Sequence, residues 1–485
     1  MESFNGSNTG SERPHAVLLA SPLTGHLIPL AELARRLVEH HSFAVTLVTF
    51  SNLSLPAHVL SSCLLPPSVA TAVLPSVDMG DIPAADIFQV FLELIRRSAP
   101  NLRALVRGIS ATAGPLAALV VDFFFPEALL VAAELGVPGY VFVPTNLTML
   151  ALERRFMELH HVHGLPPGEY RDFPEVVELA EGVSMRREDF PVPYRDPNRL
   201  AFPQLLEDTR RYLRADGFLV NTFDKMEPAL VEAFRLAAEQ RAFPPVFTPG
   251  PLVRRSKPEP DVGDQDCLEW LDRQPTGSVV YVSFGSGGSL SLEQTTELVA
   301  GLEDSGQRFL WVVRVPDLTA ESETATGGND DDPLAWLPEG FLERTAGRGL
   351  AVTAWAPQVR VLPHPATAAF LSHCGWNSTL ESVQSGVPMV ALPLGAEQRM
   401  NAVILEREVG VALRPPARED GVVVRDEIAA AVKELLMDGE KGRFVRRRAG
   451  DMQQEAARAS LPEGSSRRAL EEVATKWKLA CGMEK

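Results

Sequence analysis

The sequence is poor in cysteine, in positive charge and in long apolar runs. Its cysteines are scattered through 485 residues without paired or metal-type spacing, at Cys63, Cys267, Cys374 and Cys481. This pattern predicts reduced thiols, with neither a disulfide framework nor a structural zinc site. The formal net charge of −17 argues against nucleic acid and anionic membranes as main partners, because both attract basic surfaces.

Signals for secretion and membrane insertion are also lacking. The first residues contain no basic leader, and their apolar stretch is short and interrupted, so neither a signal peptide nor a membrane span is expected. A cytoplasmic protein is therefore predicted. The sequons at Asn5, Asn52, Asn146 and Asn377 are then coincidental, because a cytosolic chain does not meet the glycosylation machinery.

Strand-like and helix-like stretches alternate along the chain. The first series opens with a strand at residues 16–20, a helix with apolar side chains at helical spacing from Leu30 to Val38, and a strand at residues 45–50. A second series begins with a strand at residues 279–284. Alternation of this kind predicts α/β domains built on parallel sheets.

The length and the linker composition predict how these series are divided. A chain of 485 residues exceeds what one core usually supports, and a segment rich in proline and charge lies at residues 249–264. We therefore expect Rossmann-like domains at residues 1–250 and 251–460. Residues 461–485 carry apolar side chains on one face of a predicted helix, which needs a surface to pack against.

One stretch, residues 355–398, has the features of a nucleotide-sugar site. Within it an apolar strand ends in a tight turn, after which a helix begins with Trp376, Asn377 and Ser378. Backbone N–H groups at a helix start have no internal partners, so a phosphate can bind there. Glu381 lies one turn later on the same face, where its carboxylate can accept hydrogen bonds from ribose hydroxyls.

The two ends of this stretch supply the remaining contacts. Trp355 offers a flat indole to a base, and Gln358 follows it. Glu397 and Gln398 suit vicinal sugar hydroxyls, because a carboxylate accepts hydrogen bonds while an amide both donates and accepts them. Base, ribose, diphosphate and hexose would then be bound in order along the chain.

These motifs resemble those of the plant family 1 UDP-sugar-dependent glycosyltransferases, whose signature segment runs from a tryptophan to a glutamine over the same stretch. The likeness extends to SPLTGHLIPL near the start, LVNTF, FGSGG and NAVILEREVGVALRP. It is nearest to the hydroquinone and phenol glucosyltransferase (arbutin synthase) subgroup. The resemblance implies an α/β GT-B architecture, in which two Rossmann-like domains face a cleft and the C-terminal helix packs back on the N-terminal domain.

The resemblance also implies a reaction. It is the transfer of glucose from UDP-glucose to the hydroxyl of a small phenolic acceptor, with inversion, by a monomer that uses no metal and no cofactor. Taken alone, a loop histidine such as His26 is more often solvent-facing or a cap, but here it matches the family's general base. Asp122 ends an apolar strand and would hold that imidazole, although it could instead cap the next helix.

The predicted donor contacts lie mostly in the signature segment, and Thr145 joins them because it matches a family position that touches the donor sugar. The full set is Ser286, Trp355, Gln358, His373, Trp376, Asn377, Ser378, Glu381, Glu397, Gln398 and Thr145. Helix N–H groups, together with His373, Asn377, Ser378 and Ser286, are expected to stabilise the charge on departing UDP. The only DxD-like stretch, residues 330–332, lies in an acidic loop and is interpreted as solvated surface rather than a metal site.

The acceptor side is predicted from aromatic residues, which suit a phenolic ring but could equally belong to the core. The candidates are Phe88, Phe91, Phe124 and Phe142. Two positions depart from the subgroup, since Leu23 stands where glycine is common and Gly395 stands where an aromatic is common. We expect a reshaped acceptor pocket from these departures.

Other functions remain open at this point. A nicotinamide dehydrogenase also contains Rossmann-like units, but it needs a true dinucleotide fingerprint. A UDP-sugar-binding protein without catalysis could retain the signature segment. The acceptor atom could also be nitrogen or sulfur rather than oxygen.

Overall fold

The computed structural model describes most of the chain, namely residues 13–52, 63, 65–82, 87–112, 116–163, 174–195, 202–255, 265–317, 332–353, 356–437 and 439–482. Trp355 and the side chain of Phe88 lie outside the described residues, so their predicted contacts stay predictions.

Two parallel sheets organise the described residues. The strands are β1 His15–Leu19, β2 Ala44–Phe50, β3 Val69–Leu74, β4 Leu116–Asp122, β5 Gly139–Val143, β6 Val176–Ala180, β7 Val183–Arg186, β8 Gly217–Val220, β9 Val246–Phe247, β10 Val279–Ser283, β11 Arg308–Val312, β12 Gly349–Val352, β13 Thr367–Ser372, β14 Met389–Ala391 and β15 Ala412–Leu413. The first sheet has the order β3-β2-β1-β4-β5-β8-β9, and the second has the order β12-β11-β10-β13-β14-β15. The predicted α/β architecture with two Rossmann-like sheets is confirmed.

Helices connect successive strands and cover both sheets. They are α1 Thr24–His41, α2 Ile87–Thr112, α3 Leu129–Leu135, α4 Leu147–His163, α5 Val192–Arg195, α6 Phe202–Tyr212, α7 Pro228–Glu239, α8 Gln265–Asp272, α9 Leu292–Ser305, α10 Phe341–Arg344, α11 Gln358–Val361, α12 Trp376–Ser385, α13 Gln398–Val403, α14 Arg425–Leu436, α15 Glu440–Ser460 and α16 Ser465–Ala480. None of the helices in the described ranges is both long enough and apolar enough to cross a bilayer.

The strand order places a ligand crevice in each sheet. In the first sheet β1 lies between β2 and β4, and in the second β10 lies between β11 and β13. At such points the connections leave in opposite directions, so the carboxyl ends of the two central strands open a crevice between their loops. The loops after β1, β4, β10 and β13 therefore form the candidate site, and they carry most of the predicted residues.

The C-terminal helix α16 packs on the first sheet, as the predicted architecture requires. Trp477 is fully buried there, and its indole meets the rings of Phe43 and Tyr140 edge-on, with centroid distances of 5.8 and 5.2 Å. Phe142 belongs to the same apolar cluster and is also fully buried. The prediction that Phe142 lines the acceptor pocket is therefore wrong, because its side chain faces α16. The boundaries at residues 250 and 460 stay predictions.

A buried carboxyl group lies in the helical layer of the first sheet. Glu153 on α4 is 2% exposed, and the Tyr194 hydroxyl donates a hydrogen bond to one of its oxygens. Burial raises the pKa of Glu153 to about 8. The folded protein therefore keeps a proton there that the unfolded chain releases near the ordinary pKa of 4.5, so the free energy of unfolding should fall as the pH rises from about 4.5 to about 8 and change little above that.

Glu153→Gln should remove this pH dependence, because an amide of similar shape does not ionise. We expect the melting temperature of the wild type to fall by a few degrees relative to the variant between about pH 6 and about pH 9, since about 1 kcal/mol corresponds to about 2–4 °C in a domain of this size. Thermal unfolding followed by circular dichroism at both pH values measures the difference. If the melting temperatures of the wild type and the variant change equally with pH, Glu153 is not the group responsible for the pH dependence.

Candidate active site

The first half of the site lies at the carboxyl ends of β1 and β4. His26, in the first turn of α1, places its Nδ1 2.9 and 3.1 Å from the two carboxylate oxygens of Asp122. The Asp122 side chain is fully buried, while that of His26 is 17% exposed. Because an ionised carboxylate only accepts hydrogen bonds, Nδ1 carries the proton and Nε2 is left as an acceptor. The structure thus brings the two predicted catalytic residues together.

The turn after β4 supports this pair from a second side. The backbone N–H of Phe124 donates to Asp122 Oδ1 at 3.0 Å, and its ring stacks on the imidazole of His26 with centroids 5.0 Å apart and planes 20° apart. The Tyr212 hydroxyl on α6 donates to the Phe123 carbonyl oxygen at 2.7 Å. Phe124 therefore lies at the predicted base, and Tyr212, which no sequence motif marks, holds the same turn.

The second half of the site lies at the carboxyl ends of β10 and β13. The ring of His373 lies between Gly285 and Gly375, where a Cβ would be 2.7 and 2.4 Å, respectively, from its Nε2. Real Cβ atoms do not approach that closely, so this arrangement needs glycine on both sides of the ring. Gly375 directly precedes α12, and the predicted phosphate-binding helix start is present.

The imidazole of His373 is neutral at physiological pH. Burial lowers the pKa of His373 to about 4, and a hydrogen bond to the Ser283 backbone opposes only part of that shift. A neutral imidazole with one free nitrogen can bond to a ligand oxygen without adding charge. His373 is thus placed to contribute a dipole, together with the N–H groups at the start of α12.

The residues predicted to bind the ribose form a hydrogen-bonded cluster. Gln358 Nε2 donates to Ser378 Oγ at 3.0 Å and to Glu381 Oε2 at 2.6 Å. The hydroxyl of Tyr281 donates to Gln358 Oε1 at 3.4 Å, a contact that the sequence did not suggest. Burial raises the pKa of the Glu381 carboxyl group.

The residues predicted to bind the hexose lie at the start of α13. Gln398 Oε1 accepts hydrogen bonds from the backbone N–H groups of Leu394 and Gly395 at 2.9 and 3.0 Å. These two donors fix the orientation of the amide, so that its Nε2 is directed away from the turn. Burial raises the pKa of Glu397, whose Oε1 accepts from Asn401 Nδ2 at 3.4 Å.

Hydrogen bonds across the cleft join the two halves. Asn377 Nδ2 donates to the Gly25 carbonyl oxygen at 2.8 Å, beside His26, while Asn377 Oδ1 is buried without a partner among the described residues. Trp376 Nε1 donates to the Asn221 carbonyl oxygen at 2.6 Å, and the residue is only 3% exposed. The indole of Trp376 is thus buried between the two halves, so a donor contact by this residue would have to come from its backbone N–H at the start of α12, and its predicted donor role stays a prediction.

The remaining predicted residues differ in exposure. Thr145 is 9% exposed, and its hydroxyl has no partner in the described part of the chain. Ser286 is exposed in the turn after β10, and Phe91 on α2 is half-buried. No contact in the structure tests the donor role of Ser286 or the acceptor role of Phe91.

The two residues that depart from the subgroup, Leu23 and Gly395, are both half-buried. Leu23 directly precedes α1, and its carbonyl oxygen accepts from the His26 N–H at 3.0 Å. A Cβ at Gly395 would meet no atom within 4 Å, and its backbone is not in the left-handed region. Position 395 thus has room for a side chain.

A metal site is not formed by the residues that the structure describes, which contain no group of three or more histidine, cysteine, aspartate or glutamate side chains able to hold an ion. Of the acidic stretch 330–332, only Asp332 is described. Its side chain caps a 3₁₀ helix at Pro333–Trp336 by accepting from the Leu334 N–H at 3.0 Å.

Comparisons with known proteins identify the family. Residues 243–443 match the family model for UDP-glucoronosyl and UDP-glucosyl transferases. The UDP-glycosyltransferase 72B1 of Arabidopsis thaliana is 44% identical over 472 residues, which cover 96% of this chain and 97% of that protein. This chain belongs to the UDP-glycosyltransferase family. The hydroquinone glucosyltransferase of Rauvolfia serpentina is 46% identical over 467 residues, covering 96% of this chain and 98% of its own.

Solved structures agree with this assignment. A UDP-glucosyltransferase from Polygonum tinctorium that is capable of glucosylating indoxyl, solved in complex with 3,4-dichloroaniline, superimposes with a TM-score of 0.86 at 39% identity. The match covers 97% of this chain and 100% of that one. The resemblance inferred from the signature segment is confirmed. The protein is an enzyme, a UDP-dependent glycosyltransferase of the hexosyltransferase type.

Gly375→Ala should displace the His373 ring, because the new Cβ would lie 2.4 Å from Nε2. We expect UDP to bind about tenfold more weakly to the variant, equivalent to about 1.4 kcal/mol. Isothermal titration calorimetry measures the affinity.

The matched control is Gly287→Ala in the turn after β10, where a Cβ meets no atom within 4 Å. It should bind UDP as the wild type does. Wild-type affinity in Gly375→Ala would show that the glycine is not needed to seat His373.

Proposed function

We propose that the enzyme transfers glucose from UDP-glucose to the hydroxyl of a small phenolic acceptor, with inversion, to give a β-glucoside. The observation that carries the proposal is the His26 and Asp122 pair, which lies beside the start of α12 across the Asn377–Gly25 hydrogen bond. A base and a phosphate-binding helix start on opposite sides of one cleft suit an in-line displacement at a sugar carbon.

His26 is proposed as the general base. Its Nε2 would accept the acceptor's proton while the acceptor oxygen bonds to the anomeric carbon. An unperturbed imidazole titrates near ~6.5 and a phenol near ~10, so a separate proton transfer before bond formation would be unfavourable. The transfer is therefore concerted with bond formation, and the buried Asp122 carboxylate stabilises the imidazolium that results.

The leaving group is UDP, whose charge grows as the bond from the anomeric carbon to the phosphate oxygen breaks. The backbone N–H groups at the start of α12, the imidazole of His373 and the side chains of Asn377 and Ser378 would stabilise it, with Ser286 contributing from the turn after β10. These are dipoles rather than full charges. We propose that they take the place of a metal ion in this reaction.

Glucose is proposed as the sugar because Glu397 and Gln398 are oriented at the start of α13 and the Thr145 hydroxyl has no hydrogen-bond partner among the described residues. A phenolic acceptor is supported by the ring of Phe124, which stacks on His26 and can guide an aromatic acceptor to Nε2. The hydroquinone glucosyltransferase relative supports the same class. The monomeric state, the cytoplasmic location and the lack of a cofactor stay predictions.

A second candidate acceptor is an aromatic amine. The solved structure of the Polygonum tinctorium enzyme, which is capable of glucosylating indoxyl, is a complex with 3,4-dichloroaniline. The Phe124 ring would position an aniline as well as a phenol. The mass of the product formed from each acceptor shows whether oxygen or nitrogen is glucosylated.

The proposal predicts that the wild type, incubated with UDP-glucose, hydroquinone and EDTA, forms a product one hexose heavier. Mass spectrometry identifies the product, and proton NMR of the anomeric signal establishes its β configuration. The panel should add a flavonol and 3,4-dichloroaniline. Binding of UDP-glucose without any product would favour a UDP-sugar-binding protein instead, and strict dependence on an added divalent ion would overturn the metal-free reaction.

Two variants in the same assay distinguish the catalytic role of His26 and Asp122 from the binding of UDP-glucose. His26→Ala should bind UDP-glucose as the wild type does but lose transfer, by about a thousandfold or more. Asp122→Asn keeps the shape but no longer favours the Nδ1-protonated tautomer, so it should also lose transfer. Full activity in His26→Ala would remove the base assignment.

Gly395 is proposed to widen the acceptor side of the cleft, because the structure leaves open space at its Cβ position. Gly395→Tyr should narrow the range of acceptors, so that a flavonol is used at a rate reduced by about tenfold relative to hydroquinone. The ratio of kcat/KM for the two acceptors measures the change. An unaltered ratio and unaltered kinetic constants would show that position 395 does not border the pocket.

A further inference from the structure

A series of buried hydrogen bonds runs between the two halves of the molecule and ends on Glu397. The Met149 N–H donates to Asn146 Oδ1 at 2.9 Å. Asn146 Nδ2 then donates to Asn401 Oδ1 at 2.6 Å. Asn401 Nδ2 donates in turn to the Cys374 carbonyl oxygen at 2.9 Å and to Glu397 Oε1 at 3.4 Å. We call this series the amide relay.

The orientation of each amide in the relay is determined by its neighbour. A backbone N–H needs an acceptor, so Met149 requires the oxygen of Asn146 and leaves Nδ2 of Asn146 as the donor to Asn401. Asn401 must then present its oxygen to Asn146, and its own Nδ2 is left for Glu397. Both asparagines are fully buried, so a flipped amide would leave polar groups unpaired away from water.

The ends of the relay lie beside the residues proposed to bind the hexose. Asn146 follows Thr145, whose hydroxyl is buried and has no partner among the described residues. Asn401 lies one helical turn after Glu397, and its N–H donates to the Glu397 carbonyl oxygen at 3.0 Å. The relay therefore connects a sugar-side residue of each domain.

We propose that Asn146 and Asn401 are positioning residues for the donor sugar, which hold the Glu397 carboxylate against the hexose hydroxyls when the two domains are in contact. The inference rests on the proposed function, in which Glu397 binds the hexose of UDP-glucose. Neither asparagine is taken to touch the reacting atoms. The relay should then affect the recognition of the sugar and not the binding of UDP.

Asn401→Ala and Asn146→Ala test the relay at its two members. Asn401→Ala removes the bonds to Glu397, to the Cys374 carbonyl oxygen and to Asn146. Asn146→Ala keeps the bond to Glu397 but removes the bond between the domains and the acceptor of the Met149 N–H. We expect Asn401→Ala to raise the KM for UDP-glucose about tenfold and to reduce the preference for UDP-glucose over UDP-galactose about fivefold, while the Kd for UDP changes less than about twofold. Asn146→Ala should change the same quantities in the same direction by a smaller factor.

The matched control is Arg414→Gln, which breaks the ion pair between Arg414 and Asp189 across the same interface at 2.9 Å. This pair does not contact Glu397, so the sugar preference should stay at the wild-type value. An equal change in Arg414→Gln would mean that general loosening of the interface is responsible, and would overturn the proposal.

The remaining outcomes separate the relay from other roles. If Asn401→Ala binds UDP and UDP-glucose more weakly by the same factor, the asparagines act on the turn before α12 through the bond to the Cys374 carbonyl oxygen. That result would also overturn the proposal. If Asn401→Ala does not fold, Asn146→Ala carries the test. A wild type that transfers no glucose to any acceptor would remove the proposed function, whereas wild-type transfer with unchanged donor constants in both variants would remove only this inference.

Discussion

The hydrogen bond from Asn377 Nδ2 to the Gly25 carbonyl oxygen joins the two halves of the site next to His26. It links the first turn of α12 to the residue beside His26, and so relates the proposed phosphate-binding helix start to the proposed base. A direct displacement requires the attacking oxygen, the sugar carbon and the leaving oxygen to lie in line. Because the groups that would hold them come from different sheets, their alignment depends on contacts of this kind across the cleft.

Both carboxylates of the donor half accept hydrogen bonds from amide side chains. Gln358 donates to Glu381, and Asn401 donates to Glu397. A guanidinium would occupy both oxygens of a carboxylate in a bidentate pair, whereas a single amide N–H leaves lone pairs for sugar hydroxyls. Burial raises the pKa of both carboxyl groups, and the hydrogen bonds from the amides offset part of that rise.

Local sequence patterns predicted the elements well and the side-chain directions less well. Strands β1 and β4 are apolar apart from His15 and Asp122 at their ends, because both faces of a parallel sheet are covered, so their positions could be predicted. Which face a strand residue takes depends on register, and Phe142 lies on the face that packs against α16. The direction of the Trp376 indole was unpredictable for a similar reason, since periodicity does not say whether a helix start turns its side chain to a ligand or to a neighbouring domain. Contacts between distant positions, such as Asn146 with Asn401, leave no local pattern.

The two substrates place different demands on the fold. A UDP-sugar has a constant shape, so most of its contacts can come from one continuous segment whose turns are constrained, as the glycines around His373 are. Acceptor walls come from separate elements, and room at Gly395 can change without altering that segment. Phe124 is the exception, because its ring stacks on His26 and its N–H bonds to Asp122. A change at Phe124 therefore alters the base as well as the pocket, which limits how far the acceptor range can vary on that side of the cleft.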